Sequence, residues 1–168
     1  MLSLIRATVL LLCLILLLAS GCSSNNGMTP IAGSGTFNCL VDGTDWSPSV
    51  DTSLRQSLSA SYSYGSLQIV AYHHPSVSDR STIEIDLAGI TAPGQFDLGT
   101  TPSGAYFVNE LLISQDQLYS TNSSYTGVVD VTRFDTLQRV ASGTFSFEAS
   151  NAVGSFVTVR SGSFEVVF

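Results

Sequence analysis

Between Phe37 and Phe168 apolar residues recur at every second position, and no segment keeps a helical spacing for three turns. Phe37, Cys39 and Val41 line one face of a first strand that ends at Asp42-Gly43. Leu58, Ala60, Tyr62 and Tyr64 share a face opposite a row of serines, and Gly65 turns the chain into Leu67, Ile69 and Ala71, a hairpin pattern. The stretch His73 to Asp79 reads as a loop. Ile83, Ile85 and Leu87 then alternate with Glu84 and Asp86, the pattern of a strand with one wet face. Pro93-Gly94 turns the chain before Phe96 and Leu98; Gly99 to Gly104 is loop-like, and Ala105 to Val108 fits another strand. Residues 109–124 are ambiguous, since Glu110 to Leu118 suits a short helix or a strand. Alternation resumes at Val129, Val131 and Arg133, continues through Phe145 and Phe147, then Val157 and Val159, and closes on Phe164, Val166 and Phe168. Short strands with frequent turn signals predict an all-β, antiparallel sandwich or barrel-like domain of roughly 9–11 strands. The last three strands read as a meander, because their connections are too short for parallel crossovers.

The residues ahead of this domain carry a different signal. Arg6 precedes an apolar run from Ala7 to Ala19, thirteen residues long, followed by Ser20-Gly21-Cys22. A membrane-spanning helix needs roughly 20 apolar residues. The order of charged, apolar and small residues is instead that of an export signal. Leu18-Ala19-Ser20-Gly21-Cys22 resembles a bacterial lipobox, which implies cleavage between Gly21 and Cys22 and a diacylglyceryl group on the Cys22 thiol. A signal cut elsewhere, with Cys22 incidental, is the alternative. The expected organisation is a lipoprotein signal peptide at 1–21, a flexible Ser/Asn/Gly-rich tether at 22–35 and the β-domain at 36–168. Two acyl chains hold a protein stably at a membrane, so the expected partner is a membrane reached through Cys22. With Ser23 rather than Asp after the Cys, lipoprotein sorting points to the outer membrane of the bacterial envelope.

Composition narrows the partners. The sequence has 6 basic against 13 acidic residues, a formal net charge of −7. Beyond the leader the cations are Arg55, Arg80, Arg133, Arg139 and Arg160, with no Lys. That balance has the wrong sign for a nucleic-acid partner. With Cys13 in the leader and Cys22 acylated, Cys39 has no disulfide partner in the domain and reads as a small core hydrophobe.

Signatures of catalysis are sparse, and a non-catalytic chain without a cofactor is expected. His73 and His74 are the only histidines, so any His-based hydrolase or metal site runs through them. On a strand they would face opposite ways; in a loop both could converge with Asp79. No His-x-x-x-His spacing accompanies them, and no Gly-x-Ser-x-Gly elbow appears. Asp42 with Asp45 and Glu84 with Asp86 are the carboxylate pairs. A binding role rests on Tyr62, Tyr64, Tyr72, Tyr106, Tyr119 and Tyr125, since exposed Tyr suits glycan or protein contact. The competing reading puts Tyr62 and Tyr64 in the core beside Leu58, and Trp46 is read as a core or sheet-edge anchor rather than a ligand platform. A structural subunit of a larger envelope complex is the remaining class.

Several motifs point one way. Asp42-Gly43-Thr44-Asp45-Trp46, Pro93-Gly94-Gln95-Phe96-Asp97-Leu98-Gly99, Ser142-Gly143-Thr144-Phe145-Ser146-Phe147 and Ser161-Gly162-Ser163-Phe164 occur in this order. Together they resemble a family of small bacterial lipoproteins of unknown function with a D-G-T-x-W opening and a G-T-F-S-F C-terminal hairpin. The resemblance implies the β-fold and the envelope location, and no chemistry.

Overall fold

The computed structural model describes residues 34–50, 56–111 and 115–168. The expected signal peptide, Cys22 and the tether up to residue 33 lie outside the described residues, as do 112–114 of the ambiguous segment. Twelve strands follow one another: β1 (Gly35–Val41), β2 (Thr44–Trp46), β3 (Ser49–Val50), β4 (Leu58–Ser63), β5 (Ser66–Ser76), β6 (Asp79–Ala88), β7 (Gly94–Leu98), β8 (Gly104–Asn109), β9 (Leu118–Ser120), β10 (Gly127–Asp135), β11 (Val140–Ser150) and β12 (Phe156–Val167). A single 3-10 turn, Gln115–Gln117, is the only helical element among the described residues. The fold is all-β, as the alternation predicts. The strands beyond the expected number are β2, β3 and β9, two or three residues each, too short to show a period.

The strands form one curled sheet, a half-barrel. Its main path runs β2-β1-β12-β11-β9-β8-β6-β5-β3, with β10 and β7 branching from β11 and β4 from β5. The C-terminal strands β10, β11 and β12 form an antiparallel meander, but Val157–Val159 and Phe164–Phe168, expected as two strands, are one continuous strand, β12, interrupted only by a bulge. Every pair is antiparallel except β3 with β5, where Ser49 lies beside His73 and Val50 beside His74. Strand β5 continues through Ser76, so the expected loop at His73 is a strand end, and the register shift there marks an irregularity.

The buried set follows the alternation. Leu67, Ile69 and Ala71 of β5 and Ile83, Ile85 and Leu87 of β6 are fully inaccessible to solvent. Across from them β11 and β12 contribute Phe145, Phe147, Val159, Phe164 and Val166. A bulge in β12 bends the sheet: Phe145 pairs with Gly162 while Phe147 pairs with Val159. Gly162 lies under the Phe145 ring, where an added Cβ would sit 2.5 Å from ring atoms. Trp46 is buried, 5.9 Å edge-on from Phe37, the core anchor expected.

Three hairpins turn in two residues, at Asp42-Gly43, Tyr64-Gly65 and Val77-Ser78, and the first two do so with positive φ at both. Asp42 and Gly43 have φ of 49° and 80°, and Tyr64 and Gly65 have 50° and 79°. Positive φ at both central residues matches the right-handed twist of the flanking strands. Tyr64 therefore stands at a hairpin tip, not on the Leu58 face where strict alternation puts it.

Candidate functional site

Strand β11 changes partners along its length. Val140 to Phe147 pair with β10, whereas Ser150 alone pairs with Ser120 of β9. Where the two branches part, a groove of about 500 Å³ opens, lined by Leu118, Ser120, Asn122, Ser150, Asn151 and Ala152. Two asparagines build its rim. The Asn122 carboxamide oxygen accepts from the backbone N–H of Ser124 at 2.9 Å and of Tyr125 at 3.1 Å, and its amide donates to Ser150 Oγ at 3.0 Å. The Asn151 oxygen accepts from Val153 and Ser155 N–H, and its amide donates to the Asp116 carbonyl at 2.9 Å. Asn is suited to such turns because its side chain bonds the backbone two or three residues on.

Phe156 lies opposite Ser150 in the β11–β12 register and is 60% exposed. Its ring stacks on Tyr125 with centroids 6.1 Å apart and planes 25° apart. A concave slot with hydroxyls, beside a partly exposed aromatic pair, offers stacking and hydrogen bonding together. Such a slot can hold a sugar ring or an extended peptide.

The two histidines do not converge. His73 Nδ1 lies 2.7 Å from the Ser47 carbonyl, and its Nε2 lies 3.4 Å from Asp79, the partner foreseen for it. Its ring packs 5.6 Å from Trp46, above a cleft of about 390 Å³ that also borders Cys39 and Asp45. Next along the strand, His74 is buried on the other side, 2.8 Å from Glu110 and ring to ring with Tyr72 at 5.7 Å. Glu110 also accepts from the Thr82 hydroxyl at 2.7 Å. Burial pushes the Glu110 carboxyl up, but hydrogen bonds from Thr82 and His74 and the charges of His74 and Arg80 outweigh it, holding the carboxyl below its ordinary value. Cys39 is buried, and burial pushes its thiol up to about 12, which removes the thiolate a nucleophile needs.

The remaining candidates are scattered. Tyr62 packs between Phe134 and Phe168 and donates to the Ile90 carbonyl at 3.1 Å, so its role is in packing. Tyr119 meets Phe107 edge-on against the core. Tyr72 leans on His74, and Tyr106 stands opposite Glu84 in the β6–β8 register. None of the six tyrosines lines the groove; Tyr125 adjoins it through its backbone N–H, which donates to the lining Asn122, and through its stack on Phe156. Glu84 and Asp86 share the outer face as expected, but that face is half-buried rather than fully wet. Burial raises both carboxyls, and Asp86 adds to the rise at Glu84, while Gln68 donates to Glu84 at 2.6 Å. The sequence pattern does not single out Asn122, Asn151, Phe156, Glu110 or Thr82.

Among known families, the profile described as a domain of unknown function (DUF6252) matches residues 51–167, and the chain belongs to that family. The Pro93–Gly99 and Ser142–Phe147 segments fall inside the matched stretch, whereas Asp42–Trp46 precedes it. No curated protein and no solved structure matches the chain.

Proposed function

We propose that this protein is a lipid-anchored component of the bacterial envelope, held at the outer membrane, and that its β-domain is a non-catalytic binding or accessory module. The observation that carries the reading is the Leu18–Cys22 segment, whose Cys22 lies twelve positions ahead of Ser34, the first described residue of the β-domain. A signal of that form delivers a Cys to which two acyl chains are attached, and two chains anchor stably where one does so marginally. The bonding of both histidines into the scaffold and the inert Cys39 favour binding over hydrolysis through His73 or His74. The groove between Ser120 and Ser150, with Tyr125 and Phe156 beside it, is the face assigned to a glycan or an envelope protein.

Expression of the full chain in a Gram-negative host tests the anchoring. Wild-type protein is expected in the membrane fraction, and Cys22→Ala is expected to leave it; unchanged retention overturns the anchor. The detergent-solubilised protein tests the groove. Binding to a saccharide array that Phe156→Ala lowers at least tenfold supports a glycan module. Co-purification of one stoichiometric envelope protein, with no saccharide bound, supports the structural-subunit alternative.

A further inference from the structure

The end of the domain nearest the tether is set apart by what it leaves exposed. Val167 N–H donates to the Ser34 carbonyl at 2.9 Å and Phe168 N–H to the Arg139 carbonyl at 2.9 Å. The start of β1, the end of β12 and the tip of the β10–β11 hairpin therefore stand together. The Tyr62 ring lies 5.1 Å from Phe134 and 5.4 Å from Phe168, which brings the β4–β5 turn to the same end. At these two tips stand Tyr64, 106% exposed, and Leu137, 95% exposed, more than any other large hydrophobic among the described residues. Neither side chain serves the fold. Tyr64 occupies φ 50°, a conformation that Gly or Asn adopts more easily. Asp135 accepts from the N–H groups of Leu137 and Gln138, each at 2.9 Å, and so fixes the tip's backbone while the Leu137 side chain remains in water.

We propose that Tyr64 and Leu137 insert into the headgroup–acyl boundary of the membrane that holds the lipidated Cys22. The inference rests on the anchoring reading above. Eleven residues rich in Ser, Asn and Gly separate Cys22 from Ser34, and a flexible sequence of that kind spans on the order of 20 Å. Tethering at that distance keeps the two tips at a high effective concentration over the lipid, so a weak contact becomes populated. Tyr suits the headgroup level, with its hydroxyl wet and its ring buried, and Leu suits the acyl edge below. Arg133 is engaged by Gln138 and lies 3.9 Å from Asp135, whereas Arg139 stands exposed at the tip itself and adds a salt-screened attraction to anionic lipid. With this end on the lipid, the β11–β12 hairpin and the groove beside it point away from the membrane.

Fluorescence of the acylated full-length protein tests the proposal, in vesicles of phosphatidylethanolamine and phosphatidylglycerol with acyl chains brominated on a fraction of the lipid. Native Trp46 is 7% exposed and supplies a constant background. Leu137→Trp and, separately, Tyr64→Trp are expected to shift emission to shorter wavelength and to be quenched by brominated lipid. Val153→Trp, at the opposite end of the domain, is expected to show neither effect. If Leu137→Trp and Tyr64→Trp are quenched no more than Val153→Trp while the mass of the same sample shows an acylated Cys22, membrane docking is overturned and the anchor stands. An unacylated Cys22 overturns both.

Discussion

Cys39 and Glu110 show how burial decides what a side chain can do here. The Cys39 thiol, lifted by burial from an ordinary 9.0 to about 12, is expected to resist a neutral alkylating reagent at mild alkaline pH and to react only once the chain unfolds in urea. The sign of the linkage follows: above pH 9.0 the unfolded thiol ionises while the native one does not, so stability falls as pH rises through that range. Glu110 works the other way. Its carboxyl is held below the ordinary 4.5, so the stability it contributes is present above that pH and is lost as the pH falls below it. Glu110→Ala leaves the buried His74 and Thr82 without their shared acceptor, and a loss of about 1–3 kcal/mol in urea unfolding is expected. This pairing was illegible in the sequence, because His74 and Glu110 are 36 residues apart and meet only through the β5–β6–β8 register. Tyr64 offers the opposite case. Tyr64→Asn relieves a left-handed Tyr and is expected to raise stability by up to about 1 kcal/mol in the same assay, while weakening the proposed contact with lipid.

The strands with four or more alternating residues were legible, since a two-residue period has one solution when one face is buried. The β4–β5 hairpin, β6 and the three C-terminal strands are of this kind. The end of β5 is not legible because His73-His74-Pro75-Ser76 mixes polar residues with a proline. The sheet tolerates Pro75 since the ladder jumps from the His73–Ser81 pair to the Ser76–Asp79 pair, so no N–H is required of it. Strand β9 escaped for a different reason: it bridges β8 and β11 through a few residues, and the groove exists only because that bridge is one pair wide. The curl depends on the bulge of β12. Gly162→Ala drives a methyl into the Phe145 ring, which cannot yield because Phe37 packs 4.8 Å away on it and Phe164 6.4 Å away. A loss of about 1–3 kcal/mol is expected in thermal or urea unfolding, as for other overpacked cores.

At the scale of the molecule the half-barrel has two unlike ends. One gathers Ser34, Phe168 and the tips carrying Tyr64 and Leu137. The other gathers the β11–β12 hairpin, Phe156 and the slot between Ser120 and Ser150. The sequence could not separate these ends, because nothing local says which hairpins the sheet brings together. It could mark the residue that would give the difference meaning, Cys22. An acyl anchor on the first end turns an otherwise symmetrical choice of orientation into a single one, with the slot presented to whatever lies beyond the lipid. Mass spectrometry of the N-terminal peptide of the mature protein, isolated from membranes of the expressing cell, tests that account most directly. A mature chain that begins at Cys22 and carries the mass of a diacylglyceryl group is the result expected. A chain cut elsewhere, or one that keeps an unmodified Cys22, would contradict it.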